Sequence, residues 1–213
     1  MKYNIMKKQD FVLLIMNCEK YRDKAQKQKA TWLRELPPDL PYFHVIGKMD
    51  MTVPYRFDGD ILYVKTGDDY ISLPHKVIAA YEAVQAEYDY KYIFKTDDDQ
   101  HLTQPIFLPL MMGHLLSHKG IHYGGKIVNV VADHMSLYWQ FHPELPKNVL
   151  VKKSQYCNGR FYVLSREAVQ SLIPRTADIK KEYFEDYAIG YYMDTRYKFP
   201  IFEIPNDVFV DNI

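Results

Sequence analysis

Six consecutive apolar residues, Phe11-Val-Leu-Leu-Ile-Met16, leave no face of this segment for water. So short and uniform a run reads as a strand buried on both sides, the pattern of a central strand in a parallel sheet with helices above and below. Parallel neighbours need crossover connections, usually helical, so the run points to an α/β architecture. It is far too short to cross a bilayer, and no hydrophobic segment with a cleavage site precedes it. The 213 residues suffice for one substantial core. With no repeat, low-complexity tract or linker, a single domain over residues 1–213 is expected.

Alternating elements follow along the chain. Residues 18–33 carry Tyr21, Ala25, Trp32 and Leu33 at helical spacing, with Lys20, Arg22, Lys24, Lys27, Lys29 and Arg34 around them. That basic side is either a solvated face or, placed after a first strand, a surface that meets a diphosphate. Tyr42 to Ile46 reads as a strand closed by Gly47, Asp58-Gly-Asp60 as a turn, and Ile61 to Val64 as another strand. Ser72 as an N-cap and Pro74 in the first turn open a helix whose stripe is Val77, Ile78, Tyr81, Val84 and Tyr88. A helix after Thr103 and Pro105 is interrupted by Pro109 and Gly113, and Ile121 to Val131 is a strand bent at Gly124-Gly125. Residues 132–155 lack periodicity and read as a long aromatic-bearing loop. Arg160 to Leu164 is a strand, Ser165 caps a helix ended by Pro174, Glu185-Asp186 begins another with Ala188, Ile189, Tyr192 and Met193 inward, and Phe199 to Ile204 is a last strand.

Lysine plus arginine equal aspartate plus glutamate at 27 each, so no global field favours nucleic acid or an anionic membrane. Cys18 and Cys157 fit no zinc spacing; they either form one bridge or stay free thiols. Nineteen tyrosines suit sugar faces as well as an ordinary core with hydroxyls at its edge.

The chemistry concentrates at Tyr92-Ile-Phe-Lys-Thr-Asp97-Asp98-Asp99, a strand that runs into three adjacent carboxylates. Neighbouring like charges repel and raise one another's pKa, whereas a divalent cation holds them ionised. In an open α/β sheet the carboxyl end of a strand is where ligands bind. An EF-hand beginning at Asp97 is excluded because Leu102 and Leu108 occupy the positions of its glycine and glutamate. Neither a GxxxxGK[ST] nor a GxGxxG phosphate fingerprint is present. What remains is Asp-x-Asp after a strand: hard oxygen ligands for Mg²⁺ or Mn²⁺ shared with a nucleotide diphosphate, or a solvated turn.

Several blocks together resemble the β-1,3-galactosyltransferase and Fringe-like glycosyltransferases of family thirty-one. Tyr92 through Leu102 resembles the family's aspartate motif, and Arg22 through Thr31-Trp32 its early Arg-rich helix. Asp69-Tyr70-Ile-Ser-Leu73 with Lys76 resembles its Asp-x-Tyr-x-Asn-Leu-x-x-Lys block. Tyr156-Cys157-Asn-Gly159 through Ser165 resembles its Tyr-Cys-x-Gly-x-x-Tyr-Val-Leu-Ser strand, and Glu185-Asp186-Tyr-Ala-Ile-Gly190 its Glu-Asp-Val-x-x-Gly.

The resemblance implies a GT-A-type, Rossmann-like nucleotide-sugar-binding fold with a mostly parallel central sheet flanked by helices. It implies an inverting, Mn²⁺- or Mg²⁺-dependent transfer of a hexose or N-acetylhexosamine from a UDP-sugar to a glycan hydroxyl in β-1,3 linkage. Asp186 would take the acceptor's proton; Asp99 and Asp97 would hold the metal. Asp97, Asp98, Lys95, Arg22, Lys76 and Asp69 would bind the donor, and Trp139, Tyr156, Gly159 and Glu185 the acceptor. Tyr138, Tyr183 and Phe184 are further candidates for sugar stacking or simple packing. Without the resemblance, Glu185-Asp186 reads as an acidic first turn stabilised by the helix dipole.

This chain departs from the pattern in three places. No histidine follows His142 to serve as the family's late metal ligand, which leaves Asp207, Asp211 or water for that role. Arg160 stands where the family commonly has glycine. The N-terminal hydrophobic anchor is missing, so a cytoplasmic enzyme is expected, with a trimmed lumenal domain as the alternative. A non-catalytic nucleotide-sugar-binding module and a metal-dependent nucleotidyltransferase are the competing functions; oligomeric state is not legible.

Overall fold

A computed structural model describes residues 6–211. The first strand, Phe11–Met16, lies in the middle of an eight-stranded sheet. Tyr92–Asp97, Phe11–Met16, Tyr42–Gly47 and Ile61–Val64 run parallel in that order. The hairpin strand Tyr55–Asp58 closes one edge antiparallel, turning at Gly59, whose φ of 60° suits a residue without a Cβ. On the other side Ser154–Ser165 runs antiparallel to Tyr92–Asp97 and to Tyr123–Val130, and Phe202–Glu203 completes the sheet. The α/β class and the mostly parallel centre are as expected.

The all-apolar first strand still obeys the twofold alternation of a strand. Val12, Leu14 and Met16 enter one core with Val77, Ile78, Tyr81 and Val84 of the helix Leu73–Glu87 and with Ala188 and Ile189 of the helix Glu185–Tyr192. Phe11, Leu13 and Ile15 enter the opposite core with Trp32, Leu33, Phe94, Leu108 and Met112. Burying each such large side chain stabilises the fold by about 1.5–3 kcal/mol before entropy is counted. Gly190 brings the Glu185 helix against the sheet: a Cβ there would lie 2.3 Å from Cβ of Tyr156.

Several local expectations change. The basic segment divides into a helix, Arg22–Ala30, between two short 3₁₀ turns, and it turns Gln28 inward while Tyr21 stays exposed. Ser72 is itself helical in backbone and caps nothing; Asp69 Oδ1 accepts from Ser72 N–H at 2.8 Å instead. The helix Phe107–Ser117 is unbroken, because Pro109 falls in its first turn, where no intrahelical N–H is needed. The expected strand Arg160–Leu164 begins six residues earlier at Ser154, and Phe199–Ile204 contributes only Phe202–Glu203. A strand near the C-terminus, Phe209–Asp211, pairs with Gln100–Leu102 just beyond the aspartates. Cys18 and Cys157 are free thiols.

Candidate functional site

The parallel strands bring Asn17, Gly47 and Asp97 to one edge of the sheet, their carboxyl edge. Met16 pairs with Asp97 in register, and Asp98 N–H donates to Met16 C=O at 3.0 Å, so the aspartate turn is tied to the first strand. From the basic segment, Gln28 Nε2 donates to the carbonyls of Asp97 and Gln100 at 3.0 and 2.9 Å, and Trp32 Nε1 donates to Gln100 C=O at 3.2 Å. The turn carrying the carboxylates is thus fixed by its backbone, which leaves the side chains for other partners.

Lys95 is the hub. Two residues before Asp97, it shares the face of Ile93 and is 0 % exposed. Its ammonium lies 2.7 Å from Asp97 Oδ1 and 3.0 Å from Glu185 Oε2, and it donates to Gly159 C=O at 2.8 Å. Burial works to lower the lysine's pKa, but the charges of Asp97 and Glu185 overcome it and hold the group charged. Glu185 also accepts from Tyr162, whose hydroxyl meets that of Tyr81 at 2.7 Å. This places Glu185 in a sealed charge network beneath the surface rather than on an acceptor-facing wall.

Asp186, the next residue, points the other way, into a cleft of about 750 Å³ that Tyr70, Tyr138, Tyr156 and Phe184 also line. Its Oδ2 accepts from Gly159 N–H at 2.9 Å and its Oδ1 from Tyr187 N–H at 2.8 Å. A Cβ on Gly159 would sit 3.5 Å from both Asp186 Oδ2 and Lys95 Nζ. Burial raises the Asp186 pKa, with Lys95 and the two backbone N–H groups opposing it. The carboxylate is therefore both anchored and more basic than an exposed aspartate.

Asp97 and Asp98 are pushed up to about 6, chiefly by burial, which Lys95 opposes at the first and Lys24, 3.3 Å away, at the second. Asp99 Oδ1 accepts from Gln100 Nε2 at 2.9 Å, and the same nitrogen donates to Asp211 Oδ1 at 2.9 Å. Of the two late carboxylates considered for the missing histidine, Asp211 thus neighbours Asp99. Both of its oxygens face Arg160 Nη2 at 2.9 Å, which accounts for the arginine at that position. The carbonyl of Asp207 accepts from Thr103 at 3.0 Å.

The other anticipated residues spread more widely. Lys76 is buried, donating to Asn17 C=O at 2.7 Å and pairing with Asp68 at 2.6 Å. Asp68 also accepts from the N–H groups of Gly47 and Glu19, so it clamps this edge of the sheet, while its neighbour Asp69 caps a helix. Asn17 keeps a sealed Nδ2 without a hydrogen-bond partner among the described residues. Arg22 sits on the surface with Glu19 and Tyr63. Trp139 is absent from the cleft wall and lies under Lys147, 4.8 Å from its ring centre. Tyr138 stacks on His142, which stacks on Tyr70 at 4.0 Å, and Tyr138 meets Phe184 edge-on. Sequence reasoning missed Gln28, Asp68, Gln100 and Tyr162; Asp68 carried a signal, since the spacing Asp-x-Tyr before Leu73 and Lys76 puts the block's aspartate at 68 rather than at Asp69.

Among known proteins, the sequence model of the family described as Galactosyltransferase matches residues 51–198. A UDP-GalNAc:beta-1,3-N-acetylgalactosaminyltransferase 2 of Danio rerio is 25 % identical over 135 residues, 63 % of this chain and 26 % of that protein. Probable beta-1,3-galactosyltransferase 12 of Arabidopsis thaliana is 29 % identical over 136 residues, 63 % of this chain and 36 % of that protein. The chain spans well under half the length of these relatives. The glycosyltransferase GlyE of Streptococcus pneumoniae superposes with a TM-score of 0.47 at 11 % identity, covering 94 % of this chain and 46 % of that one.

Proposed function

The chain belongs to the galactosyltransferase family, and from that premise we propose that it transfers a hexose or N-acetylhexosamine from a UDP-sugar to a glycan hydroxyl, inverting the anomeric carbon and forming a β-1,3 linkage. One observation carries the reading: Lys95 and Gly159 link Asp97, on the donor edge of the sheet, to Asp186 in the aromatic cleft.

In this scheme the donor lies across the carboxyl edge of the strands, and the acceptor enters the cleft with one hydroxyl at Asp186. The carboxylate takes that proton as the oxygen attacks the anomeric carbon from the face opposite UDP. The bond from that carbon to the diphosphate oxygen breaks and its electron pair leaves with UDP. Burial suits Asp186 to this role, since a carboxylate with a raised pKa is the stronger base. Gly159 N–H and Tyr187 N–H hold its two oxygens in place. Lys95 keeps Glu185 and Asp97 ionised side by side.

Asp97 and Asp99 fit Mn²⁺ or Mg²⁺ in the manner of hard cations that are held by one or two carboxylates plus substrate phosphates. Among the described residues no group of three metal-ligating side chains is clustered. When bound, such an ion neutralises charge on the departing diphosphate.

The test is a panel of UDP-sugars with Mn²⁺, with and without EDTA, scored by UDP release, together with Asp186→Asn. Asparagine keeps the shape of the side chain but cannot accept a proton near neutral pH. Transfer is expected to fall by about 10²–10⁴-fold with UDP-sugar affinity unchanged. Normal turnover per folded molecule in that variant sinks the base assignment, and pyrophosphate release from UTP and a sugar phosphate would indicate a nucleotidyltransferase.

A further inference from the structure

The cleft that ends at Asp186 opens onto side chains that a water-facing loop has little reason to carry. Val131 is 80 % exposed, Phe141 76 % and Leu137 63 %, and all three line the cleft together with the half-exposed Tyr138. Tyr138 and Phe141 touch ring to ring, with centroids 5.9 Å apart. Scattered exposed apolar residues are ordinary, but a contiguous strip at the mouth of a pocket marks a binding surface. The strip is also held in place. Tyr138 is packed on His142 and against Phe184, and Phe184 directly precedes Glu185-Asp186.

Charge narrows the ligand further. The cleft wall carries the carboxylates of Asp133 and Asp186 and no lysine or arginine among the described residues. A phosphorylated, sulfated or carboxylated acceptor would meet like charge there with no lysine or arginine, and only the imidazole of His134, to offset it. A flat protein surface, including a second copy of this chain, would close the entrance to Asp186 if it covered the strip.

Resting on the transferase reading above, we propose that the outer part of this cleft is a subsite for an apolar aglycone. The acceptor is then an uncharged amphipathic glycoside, with its sugar hydroxyl at Asp186 and its apolar group on Val131, Leu137, Tyr138 and Phe141. The sugar occupies the end where Tyr156 and Asn158 offer polar atoms, and the aglycone displaces water from the strip.

The test compares methyl and octyl β-glycosides of glucose, galactose and N-acetylglucosamine, below their micelle concentrations, by titration calorimetry on the full chain and on Leu137→Ser/Phe141→Ser. For the sugar that binds, the octyl form is expected to bind at least about tenfold more tightly than the methyl form, the effect of burying two methylenes. In the double variant that ratio is expected to fall to about one, while the thermal midpoint is unchanged because both residues are exposed. Equal affinities for every methyl and octyl pair overturn the proposal. An octyl advantage that survives in the variant also overturns it, since the chain would then bind elsewhere. A dimer of the wild type that dissociates in the variant would assign the strip to a second copy and overturn it as well. These outcomes read binding alone: absence of UDP release from any UDP-sugar would remove the transferase reading and leave the comparison to decide the subsite.

Discussion

Replacing Lys95 with methionine keeps an unbranched apolar stem and removes only the ammonium, and it should be among the costliest single changes in this chain. Lys95 is fully buried and holds carboxylate oxygens at 2.7 and 3.0 Å. At those separations each attraction amounts to about 5–6 kcal/mol at an effective dielectric of about 20. Desolvation of the ions offsets several kcal/mol apiece, so the intact network contributes little net stability. Breaking it is different, because Glu185 would remain sealed and charged without its counterion, at a cost of about 3–5 kcal/mol. Urea unfolding followed by circular dichroism at pH 8 measures this loss.

Two further measurements isolate the cause. Burial already raises the pKa of Glu185, and without Lys95 it rises further. A carboxylate whose folded pKa lies above its unfolded one costs stability at high pH and regains it as pH falls through the folded value. The deficit of Lys95→Met should therefore shrink at pH 5.5. Adding Glu185→Gln removes the stranded charge, so the double variant should recover to within about 1–2 kcal/mol of wild type, a coupling between touching residues. A loss under about 1 kcal/mol at pH 8, or a double variant no more stable than the single one, would refute the network as described.

Asp99→Ala should weaken Mn²⁺-dependent UDP binding, measured by calorimetry, at least tenfold. Among the described residues its side chain accepts from Gln100 alone, so folding should survive, and unchanged binding would move the cation site elsewhere. His44, 1 % exposed with both ring nitrogens unpartnered among the described residues, is lowered from 6.5 to about 4, chiefly by burial and then by Lys29. Because its folded pKa is depressed, the stability it allows is complete above about pH 6.5 and is lost as pH falls towards 4, about 3 kcal/mol in all. His44→Leu should remove that pH dependence, and parallel stability curves for the two proteins over this window would contradict it.

Local chemistry made the skeleton of the fold legible. A six-residue apolar run has no alternative to burial on both faces, and its alternation into two cores followed directly. The carboxylates of Asp97, Asp98 and Asp99 marked the carboxyl edge of the sheet as the candidate site because three adjacent acids are costly without a cation or a lysine. Aromatic type says nothing about direction, and the Trp139 ring lies against Lys147, outside the cleft wall. Asp68 and Asp69 are separable by spacing, since Asp-x-Tyr ending at Tyr70 puts its aspartate at 68; the turn before the helix Leu73–Glu87 sends Asp68 to Lys76 and Asp69 to Ser72 N–H. Tyr21, expected inward, stays exposed and Gln28 is buried instead, since the segment breaks into 3₁₀ and α turns that shift its inward face.

Lys95 itself could have been read further than its place beside the aspartates suggested. In Tyr92-Ile-Phe-Lys95 the twofold period of a buried strand puts Lys95 on the same face as Ile93, inside a core. An ammonium there must lose its charge or find carboxylates. Asp97, two residues on, shares that face and supplies one. The second must come from a distant segment with an acidic residue turned inward, and Glu185 meets that need at the start of a helix whose Ala188 and Ile189 pack into the same core. Its neighbour Asp186, displaced by one residue, is thereby turned out to the cleft. The adjacent pair Glu185-Asp186 thus divides between holding the strand lysine and facing the cleft, which explains why two acids stand together where an ordinary helix start needs one.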